Sequence, residues 1–180
     1  MKMADGGFRP AYNVQFATDT SSQVIVGVDV ITTGSDAGQM APMVDQVEDR
    51  SGKVPPEWLV DGGFAQHDPI EAVSRRETGC TVYAPVPKPK DPKVDRHTPK
   101  PSDGAAVAAW RRRMATDAAK EIYKERAATA ECVNALTRGR GLILLLVRGV
   151  VKVKAIALWQ ALAHNLLRAA QLRASVSGAT

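Results

Sequence analysis

The stretch EWLVDGGFAQHD, residues 57–68, decides how this chain is read. Trp58-Leu59-Val60 is a short apolar run, and Asp61 ends it. Two glycines follow, and then Asp68-Pro69 opens a polar-apolar pattern to Arg76, with Asp68 expected as N-cap and Pro69 in the first helical position. A strand that delivers an aspartate at its C-terminal end and then enters a helix is an α/β unit, and that end is where α/β sheets place their ligands. The tetrapeptide DGGF occurs a second time at Asp5–Phe8, but no strand precedes that copy. Asp61 is therefore the functional candidate and Asp5 the turn, since Asp-Gly-Gly is also ordinary turn chemistry.

Outward from this unit, YNVQFATD (12–19) alternates polar and apolar residues, and VIVGVDVI (24–31) is a β-branched run. With Thr20–Gln23 between them they predict an antiparallel hairpin whose turn holds Asp19. Gly34-Ser35-Asp36 precedes Met40, Met43, Val44 and Val47, which predicts a capped helix ending near Gly52. Thr81–Ala84 is a further strand. Residues 85–104, PVPKPKDPKVDRHTPKPSDG, are rich in Pro and Lys and predict an extended, mobile insertion. Helix returns at Ala105 and runs, with room for a break, to Thr137, with Trp110, Met114, Ala118 and Ile122 as its apolar stripe. A last helix spans about Lys154–Ala174, with Ile156, Trp159, Leu162, Ala163, Leu166 and Leu167 expected inward. The pattern is α/β around a mixed sheet with flanking helices, in one domain over 1–180.

Charge is distributed in blocks. Residues 1–87 carry a net −6, residues 88–140 a net +6 and residues 141–180 a net +5. An acidic front half can hold cations, and a basic back half can hold phosphate. Cys80 and Cys132 form no paired or metal-binding pattern, which points to a reduced, intracellular setting. No signal-peptide pattern opens the chain. The longest apolar run, Leu142–Val147, is far short of the roughly 20 residues of a membrane span.

A second carboxylate stands in EIYKERAATAECVNALTRGRG, residues 121–141. Glu131 lies seven residues after Lys124 and seven before Arg138, two helical turns on either side. A carboxylate of this kind can ligate Mg²⁺, and the cations can hold a nucleic-acid backbone. Taken alone, the pattern is also that of ordinary helix-surface ion pairs.

Together these segments resemble the catalytic portion of a bacterial insertion-sequence transposase of the Asp-Asp-Glu type, over nearly the whole chain. YNVQFATD and QVIVGVDV resemble the second and third strands of its ribonuclease-H-like fold. LVDGGFA resembles the motif that presents the second catalytic aspartate, here Asp61. Y-K-E-R-x4-E-x6-R resembles the family's Tyr-Arg-Glu-basic signature, one residue longer between Arg and Glu. ALAHNLLR (161–168) resembles the closing helix.

The resemblance implies Asp61 and Glu131 as catalytic, metal-holding carboxylates, and Tyr123, Lys124, Arg126 and Arg138 as DNA contacts. It implies a pair of Mg²⁺ or Mn²⁺ ions. It implies double-stranded DNA, at insertion-sequence ends and at the target, as partner, with a homodimer compatible and no membrane. The expected setting is the nucleoid of a bacterial cytoplasm. The first strand and first aspartate are expected to be missing, with Asp5, Asp19 and Asp29 as default candidates only, and the fragment is expected to be inactive alone. Two other readings are a DNA-binding remnant without activity and a nuclease of the same fold.

Overall fold

A computed structural model describes residues 6–7, 11–76, 79–142 and 145–177. Asp5 and the middle of Leu142–Val147 lie outside the described residues. The chain divides into two compact units, one of residues 35–126 and the other of residues 1–34 with 127–180. The first contains a parallel strand pair and the second an antiparallel one, so the α/β class holds with both strand senses present.

In the unit of residues 35–126, helix α1 (Met40–Ser51) turns Met40, Met43, Val44 and Val47 inward and ends on Gly52 in the left-handed conformation, as expected. Its start differs from the expected cap: Gln39 is the N-cap residue, and no side chain caps it. Strand β3 (Glu57–Leu59) pairs in parallel with β4 (Thr81–Tyr83), and helix α2 (His67–Ser74) connects them. α2 begins one residue before Asp68, so Asp68 lies in the first turn, where its charge faces the positive helix end, and is not the cap.

The helix expected from Ala105 to Thr137, with room for a break, is divided into several elements. Helix α3 (Ala105–Ala115) stops at Thr116, whose backbone is extended. Helix α4 (Asp117–Arg126) starts directly after it, and Thr116 Oγ1 accepts the Ala119 N–H at 3.2 Å. Thr116 thus ends one helix and caps the next. The break resets the helical phase. Trp110 and Met114 are buried as predicted, but Ala118 is exposed and Ala119 takes the inward position. Trp110 is fully buried and donates its indole N–H to the Ala84 carbonyl at 3.0 Å, in one core with Met40, Val44, Ile70, Val73, Val82 and Val107.

In the other unit, β1 (Asn13–Thr18) and β2 (Ile25–Ile31) form the predicted antiparallel hairpin, with a register shift between Ala17 and Thr18. Asp19 sits in the turn, where its carboxylate accepts bonds from the Ser21 hydroxyl and from both the Ser22 hydroxyl and N–H. Partial burial pushes this carboxyl up, but the serine bonds outweigh it and the net shift is downward. A π turn (Ala127–Glu131) precedes helix α5 (Cys132–Gly139).

Helix α6 (Val150–Ser177) packs on β2 through a face other than the one hydropathy selects. Val153, Ala157, Ala161 and His164 are buried, whereas Trp159, Leu162, Leu166 and Leu167 are exposed. The reason is backbone chemistry at the bulged start of β2. Asn165 accepts the Ile25 N–H and donates to the Ile25 carbonyl, both at 2.8 Å. Arg168 Nε donates to the Ser22 carbonyl at 2.6 Å, and His164 Nε2 lies 2.8 Å from the Gln23 carbonyl. A carbonyl only accepts, so His164 carries its proton on Nε2. Small residues bring the helix close enough for these polar side chains to satisfy strand backbone that would otherwise be unpaired.

Candidate functional site

Asp61 stands just beyond the C-terminal end of β3, whose ladder continues one residue further through the Val60 N–H to the Tyr83 carbonyl at 2.9 Å. The next residues form a tight turn. The Gly63 N–H donates to Asp61 Oδ1 at 2.9 Å, which fixes the orientation of the carboxylate. A methyl group at Gly63 would stand 3.1 Å from Asp61 Oδ1 and 3.3 Å from Asp36 Oδ2. Both carboxylates therefore face the same glycine, and only a residue without a side chain leaves that space open. Asp36, read from sequence as part of a helix cap, is the acid that sequence reasoning did not place beside Asp61. No spacing signal links residues 36 and 61, because the fold alone brings them together.

Arg126, the last residue of α4, places its guanidinium 3.4 Å from Asp61 Oδ2. The two side chains are 24% and 44% exposed, so this is a long, half-solvated ion pair worth about 0.2–1 kcal/mol. Tyr123 is half-buried against the core of its unit. Lys124 is exposed and paired with Glu121 at 2.6 Å, an ordinary i,i+3 surface contact. Asp61, Tyr123, Lys124 and Arg126 all belong to the unit of residues 35–126.

Glu131 and Arg138 belong to the other unit. Glu131 closes the π turn and is exposed; Arg138, near the end of α5, is exposed as well. Val133 and Thr137 turn inward on α5, leaving Glu131 and Arg138 on its outer side. The π turn falls on Ala127–Glu131, the segment in which the signature is one residue longer than in the family it resembles. A π turn inserts a single residue into a helix without ending it, and such turns recur at functional positions. The lengthened spacing thus has a local structural counterpart.

Two of the other acids considered have structural partners. Asp19 is held in its turn, and Asp29 accepts Lys154 Nζ at 2.9 Å. Among the described residues no cluster of three or more His, Cys, Asp or Glu could hold a metal ion, and no helix is long and apolar enough to cross a membrane.

A strand pair that presents an aspartate at its C-terminal end, with an arginine from a later helix beside it, places the molecule among α/β proteins with a polar site at the sheet edge. The family described as "Transposase DDE domain" matches residues 2–166. That is most of the chain, and the protein belongs to this family of transposases. No curated protein and no solved structure matches it significantly.

Proposed function

We propose that this protein carries out metal-dependent phosphoryl transfer on double-stranded DNA in transposition, with Asp61 and Glu131 as its catalytic carboxylates and with Asp36, beside Asp61, supplying the acid whose expected absence was the ground for expecting inactivity. The family match over residues 2–166, with Asp61 at the end of β3, is the observation that carries the reading. The donor chemistry around Asp61 fits a hard divalent cation such as Mg²⁺ or Mn²⁺. Carboxylate oxygens of Asp61 and Asp36 face one open space at Gly63, and a cation bound there would take over the charge compensation that Arg126 gives Asp61. Asp61 would hold the cation, with Asp36 beside it, and Glu131 would supply the carboxylate that the family signature requires. When bound, such ions lower the pKa of an attacking hydroxyl or water and stabilise the leaving oxygen.

The chain's own residues do the rest. The Gly63 N–H holds Asp61 in one orientation, so the carboxylate is set before any cation arrives. Arg126 keeps that charge compensated meanwhile. A guanidinium presents five N–H donors in a rigid fork that matches phosphate oxygens, so Arg126 is suited to receive a phosphate. Arg138, exposed on α5, adds a second phosphate contact. Binding of this kind weakens steeply as salt rises.

The test is nicking of supercoiled plasmid DNA with Mg²⁺ or Mn²⁺, comparing the wild type with Asp61→Asn and Glu131→Gln. Each substitution is expected to lower the rate by about 10²–10³-fold, the size of losing one electrostatic stabiliser. Cleavage that survives both substitutions would overturn the assignment.

A further inference from the structure

The Pro/Lys-rich segment of residues 85–104 has an unusual division of its charges. It contains no helix or strand. It is nevertheless pinned at both ends to its unit. Val86 is buried in the core at one end. At the other, Asp103 Oδ2 accepts Arg111 Nε at 2.7 Å, with the two side chains 0% and 6% exposed. The same Arg111 donates through its NH1 nitrogen to the Arg96 carbonyl at 2.9 Å, so one guanidinium on α3 ties down two points of the segment.

All three acids of the segment accept hydrogen bonds locally, and Asp103 is also ion-paired. Asp91 accepts the Lys93 N–H at 2.9 Å. Asp95 accepts the His97 N–H at 3.0 Å and the Thr98 hydroxyl at 3.2 Å. Asp103 accepts Arg111 and the Lys100 N–H. The lysines show the opposite pattern. Lys88, Lys90 and Lys93 are exposed, and among the described residues none of their ammonium groups has a hydrogen-bond or ion-pair partner. The Asp103 side chain is buried while Asp91 and Asp95 are exposed, and against these three acids stand Lys88, Lys90, Lys93, Arg96 and Lys100, so the strap carries a net +2.

We propose that this strap is a DNA-backbone contact, with Lys88, Lys90 and Lys93 meeting phosphates without reading sequence, and with Arg111 as the positioning residue that holds the strap in place. The partner class follows from the chemistry. Point-charge ammonium groups on a Pro-stiffened, anchored chain suit a regular row of phosphates and lack the geometry for base-edge readout. Anchoring matters because a free basic tail loses conformational entropy on binding, whereas a pinned strap has already lost much of it. The inference rests on the DNA reading above and deepens it by assigning a surface.

The experiment measures binding of the full chain to a duplex of random sequence by fluorescence anisotropy, across a series of salt concentrations. Lys88→Ala/Lys90→Ala/Lys93→Ala is compared with Lys53→Ala/Lys120→Ala/Lys152→Ala, which removes the same charge from elsewhere on the surface. Each phosphate contact contributes about 0.9 to the slope of log affinity against log salt, so the strap variant is expected to be shallower by up to about 2.7. The comparison variant is expected to change the slope by less than half as much. Equal slopes for wild type and strap variant, or equal losses in the two variants, overturn the strap while leaving DNA binding intact. Absence of binding by the wild type overturns the DNA reading and the strap with it.

Discussion

Replacing Arg111 with methionine should be among the most damaging single changes available in the unit of residues 35–126. The Arg111 side chain is 6% exposed and its partner Asp103 is 0% exposed, so removing the guanidinium leaves a carboxylate buried with only the Lys100 N–H as donor. Methionine keeps the apolar stem, which confines the loss to the charge, its hydrogen bonds and the guanidinium's contact with the Trp110 ring 5.6 Å away. Breaking one side of a buried pair costs about 3–5 kcal/mol. For a chain of this size that is a fall in Tm of about 6–20 °C.

Urea unfolding followed by tryptophan fluorescence would report it, since Trp110 is fully buried next to Arg111. The double variant Arg111→Met/Asp103→Leu should recover most of the loss, because an apolar pair can replace a buried ionic one at little net cost. The pH dependence has a definite sign. Burial raises the Asp103 carboxyl, but the Lys100 N–H and Arg111 hold it below the ordinary 3.8. Its contribution is therefore fully present above that value and is lost as pH falls through the lower folded one. A loss under about 1 kcal/mol for Arg111→Met, the size of an exposed pair, would refute the reasoning.

Two further predictions concern the separate units. Burial pushes the Cys80 thiol up to about 11, the Arg76 charge offsetting part of that and Glu57 adding to it, whereas Cys132 is half-buried. Iodoacetamide at pH 8 should therefore modify Cys132 and leave Cys80 intact in the folded protein, and equal labelling by mass spectrometry would contradict the buried position of Cys80. Asn165→Ala removes both bonds to the Ile25 backbone and should destabilise by about 2–3 kcal/mol, from two part-buried groups left unpaired. Thermal unfolding of that variant unchanged within about 0.5 kcal/mol would show that water replaces the asparagine.

What the sequence reveals and what it conceals divide along physical lines. The hairpin was legible because alternation with period two and a polar turn survive in any context, and Asp19 had the serines of its own turn as partners. The strand ending at Asp61 was legible from an apolar run stopped by Asp-Gly-Gly. The inward face of α6 was not. Hydropathy counts large side chains, whereas this interface is made by Ala157 and Ala161 with His164, Asn165 and Arg168 bonding to backbone. A break in the helix after Ala105 was allowed for, but its position at Thr116 was hidden because threonine is tolerated inside helices, and only its extended backbone reveals the cap. At the candidate site, Asp61 and Glu131 came from motifs. The nearness of Asp36 and Arg126 to Asp61 depends on long-range packing that no local spacing encodes.

The central claim is that Asp61 is a metal-holding catalytic carboxylate and not a turn residue. The most direct measurement is a Mn²⁺ titration followed by electron paramagnetic resonance, comparing wild type with Asp61→Asn at equal folded concentration. A wild type that binds Mn²⁺, with affinity at least about tenfold weaker in Asp61→Asn, is the predicted result, a loss of about 1.4 kcal/mol or more. Equal Mn²⁺ binding by the two proteins would contradict the account and return Asp61-Gly62-Gly63 to the role of a turn.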